Sequence, residues 1–474
     1  MKRTTSLILA LIAGQLTISL GEAATITAAS CASTHVQAAI NAAVSGDQVA
    51  VPAGSCTWSG TGAVQISNKN ITLKGAGIDV TTISIASAEG LRVPSANTGA
   101  FRITGFTFRS TGNFGTDTGF AMMSIRGGKG WRIDNNKLKI YSNVLSYAGG
   151  NGIYTWGDVG GLVDHNQFLN EETSTNCWHA ALYVEGNGAA AWALPSQIGS
   201  AANTVFVEDN VVTETRQCSA HNPHAVYGQR GGIFVARHNT ITNANIDSHG
   251  FCATYGTREF EISNNSWIIS TSRNLDALMF IRGGTGVVYG NTLTLQTSAS
   301  YNNMMKLTEY RCNNPSQCSG SVVQDGVTAG TCCTTYPCTD QIGRGQNQTL
   351  DPLYVWNNSG MSGMALVNIS NECGGAQVST FIQASRDYFI GSTPKPGYSP
   401  YTYPHPSISG GQPTSPPPAP QNLRVTSSSM GGGLQTIIAD KTNASPLSLY
   451  IPGLELNFLA STSDQNLLMS REPG

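Results

Sequence analysis

The sequence predicts an all-β fold, a parallel β-helix solenoid with a short N-terminal capping helix and a Pro-rich C-terminal tail. Three observations predict it. An apolar residue stands three positions before an Asn again and again: Ile133 before Asn136, Val163 before Asn166, Val207 before Asn210, Ala236 before Asn239, Ile262 before Asn265, Val288 before Asn291 and Val355 before Asn358. These Asn positions advance by 30, 44, 29, 26, 26 and 67 residues, and Ile103-Thr104-Gly105-Phe106 fits the frame with Phe in place of Asn. Between them lie strands of four to six residues, β-branched and broken by Gly and Asn, where a helical solenoid would need a 3.6-residue period. A second match links Met122-Met123-Ser124-Ile125-Arg126-Gly127-Gly128 to Leu278-Met279-Phe280-Ile281-Arg282-Gly283-Gly284. Stacked coils of three short strands satisfy their backbone groups by parallel pairing, and Asn suits both a left-handed turn and a side-chain ladder.

In chain order, Met1-Lys2-Arg3 is a basic start, Leu7 to Leu20 is largely apolar, and Gly21-Glu22-Ala23 is a small-residue exit. Residues 1–23 therefore read as a secretory signal, too short for a membrane span. No later segment stays apolar for 18 residues, so the expectation is a soluble, secreted monomer, extracellular or periplasmic, without a transmembrane segment. Lys+Arg 26 against Asp+Glu 28 gives a net charge of -2, without the basic excess that a nucleic-acid partner requires. All eleven cysteines follow the signal, and export permits disulfides, the odd count leaving at least one outside intramolecular pairs. Cys31 and Cys56 flank a short helix–strand unit and are expected to staple it. Cys312, Cys318, Cys332, Cys333 and Cys338 read as a stapled loop, since no repeated CxxC with a matching histidine pair suggests zinc.

An amphipathic helix is expected on Val36, Ile40 and Val44, followed by Gly46-Asp47-Gln48-Val49-Ala50-Val51-Pro52-Ala53-Gly54 and Ile71-Thr72-Leu73-Lys74-Gly75-Ala76-Gly77. This unit resembles the capped N-terminal coil of the pectin lyase-like right-handed β-helix superfamily. The resemblance covers roughly residues 30 to 390 and implies the fold, with residues 24–392 as the β-helix domain. It leaves activity open, because that superfamily holds lyases, glycoside hydrolases, epimerases and adhesins. Val163-Asp164-His165 resembles a pectate lyase fragment but falls in the repeated Asn frame, and the Arg-x-Pro-x-x-Arg element is absent. Ser248-His249-Gly250 resembles part of a polygalacturonase motif without its paired aspartates or Arg-x-Lys element. From Pro394 to Pro420 ten prolines mark residues 393–420 as a semi-rigid spacer. Ala419-Pro420-Gln421-Asn422-Leu423-Arg424-Val425 resembles the first strand of a fibronectin type III module. No core Trp follows, so residues 421–474 read as a poorly ordered tail or truncated module.

Counting back fifteen or sixteen residues from the repeated Asn positions aligns Asn151, His224, His249 and Asp276. His179 joins them if residues 186–203 are an insertion. Two residues earlier stand Cys177, Asn222, Asp247 and Asn274; six or more later stand Glu185, Arg230, Arg258 and Arg282. Strands one coil apart lie about 4.8 Å from each other, so such columns form a strip on the order of 14 Å long. In a uronate lyase a neutral His suits removal of the C5 proton, with Arg gripping the carboxylate. His179, His224, His249 and Asp247 are the candidate catalytic residues, and Arg230, Arg258, Arg282 and Asp276 the candidate substrate contacts. Lys306 is the only lysine between Lys139 and Lys395. A hydrolase would need paired carboxylates, for which Asp247 and Asp276 are available. The same histidines with Asp247 are also a metal-ligand inventory spread over three coils. The cofactor is open, calcium being the candidate. The leading expectation is a polysaccharide lyase acting on an acidic polysaccharide by base-catalysed β-elimination. The alternatives are a non-catalytic glycan-binding β-helix and a glycoside hydrolase.

Overall fold

Repetition in the chain becomes three long parallel sheets. The computed structural model describes residues 23–111, 121–141, 150–171, 177–215, 223–250, 255–270, 274–309, 342–368, 379 and 382–409, with short pieces at 457–459 and 468–470. The expected signal at residues 1–23, Ala23 apart, and the cysteines from Cys312 to Cys338 lie outside the described residues. One coil runs from Lys129–Asp134 in a first sheet to Lys137–Ile140 in a second and Asn151–Thr155 in a third; Gly160–Asp164 then pairs back on the first. Repeating this step builds sheets of twelve, nine and ten strands, and every pair within them is parallel. This is the expected parallel β-helix.

The interior is a single apolar stack. In the third sheet Met123, Ile153, Leu182, Val226, Ile246, Met279 and Met305 lie in register and are fully buried, which explains the match between the two Met-rich segments. The turn from first to second sheet carries the repeated Asn. The ladder runs from Asn136 to Asn358, and in it the Oδ1 of Asn166, Asn210, Asn239, Asn265, Asn291 and Asn358 each accepts from the backbone N–H and the Nδ2 of the Asn one coil earlier, at 2.8 to 3.1 Å. The left-handed position is the residue before the ladder Asn: His165, Asp209 and His238 have φ of 53°, 55° and 57°. His165 is thus a coil-turn residue, as its place in the repeat implies. Phe106 starts the ladder by donating its N–H to Asn136 at 3.1 Å, behind Gly105 at φ 80°.

The N-terminal cap is helix α1, Ser33–Ala42, with Val36, Ala39 and Ile40 buried. Val44, expected on the same face, is instead largely exposed, because the helix ends at Ala42 and the chain turns extended at Ala43. Lys69 lies across the helix C-terminus, its Nζ donating to the carbonyls of Ile40, Asn41 and Ala43, where a cation complements the helix dipole. Cys31 and Cys56 form the expected disulfide.

The Pro-rich segment corrects its sequence reading. Residues 393–409 are no free spacer; they lie along the outer face of the first sheet. Arg237 donates to the carbonyls of Tyr401 and Thr402 at 2.7 and 2.9 Å, and Arg132 donates to that of Ser407 at 3.1 Å. Tyr401 and Ile408 pack on Leu162, Phe206 and Val235, and Tyr403 stacks on His238. Proline limits helix and sheet formation but leaves aromatic side chains and backbone carbonyls available to a neighbouring face. Residues 414–474 form a separate unit, in which Asn457–Leu459 and Leu468–Ser470 pair antiparallel.

Candidate functional site

The third sheet presents the sequence candidates on its outer face, in a different register from the one expected. His224 lies opposite Asn245 rather than His249, and Tyr227 lies opposite Asp247. The outward column through Asp247 reads Ser124, Tyr154, Tyr183, Tyr227, Asp247, Phe280 and Lys306. Two residues further along each strand runs a second outward column. Arg126, Trp156, Glu185, Gln229, His249 and Arg282 succeed one another there, joined by backbone bonds such as Trp156 N–H to Ile125 and Arg282 N–H to Ser248.

Three imidazoles gather around one phenol. The Tyr227 ring is 4.7 Å from His179, 5.0 Å from His224 and 4.9 Å from His249, and 4.8 Å from Tyr183. His179 bonds Asn151 at 2.9 Å, and His224 bonds Asn245. The Tyr183 and Tyr227 hydroxyls both donate to Gln229, at 2.8 and 3.1 Å. Glu185 accepts from the Tyr154 hydroxyl and pairs with Arg230 at 2.8 Å. These rings stand apart from the coil interior, since Tyr154, Tyr183 and Tyr227 form an apolar cluster separate from the main core. They are nevertheless well covered: His179, His224 and His249 are 1%, 4% and 8% exposed.

Charge surrounds this cluster. Asp247 is fully buried and pairs with Arg282 at 3.1 Å. Burial pushes its carboxyl up to about 7, with Arg282 opposing the rise. Burial and the adjoining Glu185 carboxylate push the Tyr154 phenol up. Lys306 bonds both oxygens of Asp276 at 2.7 and 2.6 Å, and its ammonium lies 6.0 Å from the Phe280 ring centre, with the Arg282 guanidinium 5.4 Å from that centre. Arg230, Arg282, Lys306 and Asp276 thus edge the imidazole cluster, with Arg230 and Asp276 the more exposed.

Arg258 departs from its expected place. It enters the first sheet beside Glu259, lies 5.5 Å from the Trp192 ring and donates to the Leu194 carbonyl at 3.2 Å. It anchors the inserted segment carrying helix α2, Ala189–Trp192, away from the third sheet. Asp247 and Asp276 also fail as a hydrolytic pair. Asp276 is four residues upstream of Phe280, the partner of Asp247 one coil on. That offset separates their Cα atoms by roughly 14 Å, against the about 5–9.5 Å between carboxyl groups that glycoside hydrolysis uses. Among the described residues no group of three or more His, Cys, Asp or Glu could hold a metal ion, and both aspartates are already engaged by cations, a poor fit to calcium.

The tyrosines were the residues the sequence reading missed. Their signal was present: Ile153-Tyr154, Leu182-Tyr183 and Val226-Tyr227 repeat an apolar residue followed by Tyr at one position of three successive coils.

No helix among the described residues is long and apolar enough to cross a membrane. Neither family models nor curated protein sequences give a match to the chain. Among solved structures, an alginate lyase from Paenibacillus sp. str. FPU-7 is similar at 15% identity and a TM-score of 0.34, over 60% of this chain and 99% of that one. ORF18 of Geobacillus virus E2 is similar at 13% identity and 0.33, over 59% and 58%. A PL6 alginate lyase in complex with a trisaccharide is similar at 10% identity and 0.26, over 79% and 97%. Likeness at this level bears on neither substrate nor activity.

Proposed function

We propose that this is a secreted polysaccharide lyase that binds an acidic glycan along the outer face of the third sheet and cleaves it by β-elimination. The observation that supports it most is the adjacency of His249 and Arg282 on neighbouring coils, with the Tyr227 ring 4.9 Å from His249. In this reading Arg282 and Lys306 hold the uronate carboxylate and draw off charge as the C5 proton leaves. His249, at the edge of the cluster, takes that proton as a neutral base. The electrons form the C4–C5 double bond, the C4–O bond breaks, and the Tyr227 hydroxyl protonates the departing oxygen. His179 and His224, packed behind Tyr227, position its ring. Asp247 holds Arg282 in place.

A second reading, a glycan-binding β-helix without catalysis, is favoured by the depth of His179 and His224 and by their Asn partners. One experiment separates the two. The purified chain is incubated with acidic polysaccharides, alginate and pectate among them, while ultraviolet absorbance follows unsaturated ends and a separate titration follows binding. Lyase action gives absorbance that His249→Ala lowers by about a hundredfold or more. Binding without new absorbance supports the second reading, and unchanged turnover in His249→Ala removes that residue from the mechanism.

A further inference from the structure

Trp156 is an aromatic side chain that the lyase chemistry leaves unused. It stands in the outward column of His249 and Arg282, three coils before His249, a distance of about 14 Å along the stack. Unlike the tyrosines of the neighbouring column it is 38% exposed. The guanidinium of Arg126 lies 5.9 Å from its ring centre and 6.0 Å from that of Tyr154. Arg126 is held there by Ser124, at 3.0 Å, and by Glu89. Directly after Trp156 the chain turns at Gly157, φ 90°, into a cleft of about 150 Å³ lined in part by Asp158, Glu185, Asn187 and Gly231. The cleft depends on bare backbone, since a Cβ on Gly186 would come 2.1 Å from the Gly231 carbonyl oxygen. At its rim Lys129 bonds Asp158 at 3.0 Å and Asn203 at 2.6 Å.

We propose that Trp156, Arg126 and this cleft form a distal subsite for one acidic sugar residue of the glycan, a reading that rests on the lyase proposal. An exposed indole offers a flat apolar face to the C–H face of a pyranose. Arg126 and Lys129 supply cations for a carboxylate. The cleft is well below the size of a whole-ligand pocket and suits one ring substituent, with Asn187 and Asp158 available for its hydroxyls. Trp156 and Arg282 share one outward column, so a single chain running along the stack engages both. Bound at the distal point, the chain meets His249 already aligned.

The test is titration of wild type and Trp156→Ala with a length series of alginate oligosaccharides, from dimer to octamer, and with neutral cello-oligosaccharides as a control. Circular dichroism of both proteins checks the fold. Wild-type affinity should rise with length once the oligomer spans the strip. Trp156→Ala should cut affinity for the long oligomers by roughly threefold to tenfold while leaving the short ones unaffected. Equal affinity of wild type and variant for the octamer overturns the subsite and leaves the lyase reading standing. Equal binding of neutral and acidic octamers overturns its acidic specificity. No binding of any acidic oligomer by wild type overturns the lyase reading and the subsite together.

Discussion

Replacing Asn239 with alanine tests the Asn ladder at its centre. The Asn239 Nδ2 donates to Val207 at 2.8 Å, Arg237 at 3.0 Å and Asn265 at 2.9 Å, and its Oδ1 accepts from the backbone N–H and the Nδ2 of Asn210, each at 3.0 Å. After truncation the Asn210 Nδ2 keeps the carbonyls of Val163 and Glu208, and the Asn265 Oδ1 keeps the Asn239 backbone N–H. The Asn210 backbone N–H loses its acceptor in a buried turn. One orphaned buried donor costs about 1–3 kcal/mol, and the weakened remainder adds about 1 kcal/mol, for a loss of about 3 kcal/mol. Asn358→Ala, at the half-buried end of the ladder, should cost about 1 kcal/mol or less, since water can replace the acceptor there. Urea unfolding of both variants measures this. Equal losses at the two positions, or an Asn239→Ala chain as stable as wild type, would refute the ladder as a source of stability.

Three further outcomes follow from the charges and the C-terminal strap. Burial raises the folded-state pKa of Asp247 to about 7, above its ordinary carboxylate value of 3.8, so the folded chain binds more protons between those limits. Its contribution to stability therefore falls by a few kcal/mol as pH rises from about 4 to 7. Asp247→Asn should flatten that part of the stability–pH curve, and an unchanged slope counts against the assignment. A chain ending at residue 392 uncovers Leu162, Phe206 and Val235, each worth about 1.5–3 kcal/mol when fully buried. It should melt well below a chain ending at residue 409 in scanning calorimetry. Arg258→Met should lower thermal stability by loosening the segment around Trp192 and leave affinity for acidic oligosaccharides unchanged; weakened binding would return Arg258 to the site.

The fold was legible because its signal is local and repeats. Each ladder Asn bonds the next, so the same residue recurs wherever the first sheet turns into the second. The site was legible in composition but not in register, because the turn from third to first sheet varies in length. Tyr154 and Tyr227 stand twelve residues before Asn166 and Asn239, Asp247 eighteen before Asn265, and Phe280 eleven before Asn291. A fixed count back from Asn therefore placed His249 opposite His224, when extra residues after His249 put Asn245 there instead. Arg258 was misplaced for the same reason: it lies beyond that turn, at the start of a first-sheet strand. The strap escaped notice because proline content describes backbone stiffness and carries no information about which surface the intervening aromatics meet.

A stack whose coils touch only their neighbours can begin folding anywhere and fray from either end. The strap over the first sheet adds contacts that reach across several coils. Its hydrogen bonds join residues 164, 165 and 275 positions apart, and they exist only once the coils bearing Arg132 and Arg237 are stacked in order. A slip of one coil moves a guanidinium by about 4.8 Å, beyond hydrogen-bond reach of its carbonyl. The hydrogen bonds of residues 393–409 are accordingly available only to a correctly stacked solenoid, a register check written after the last coil.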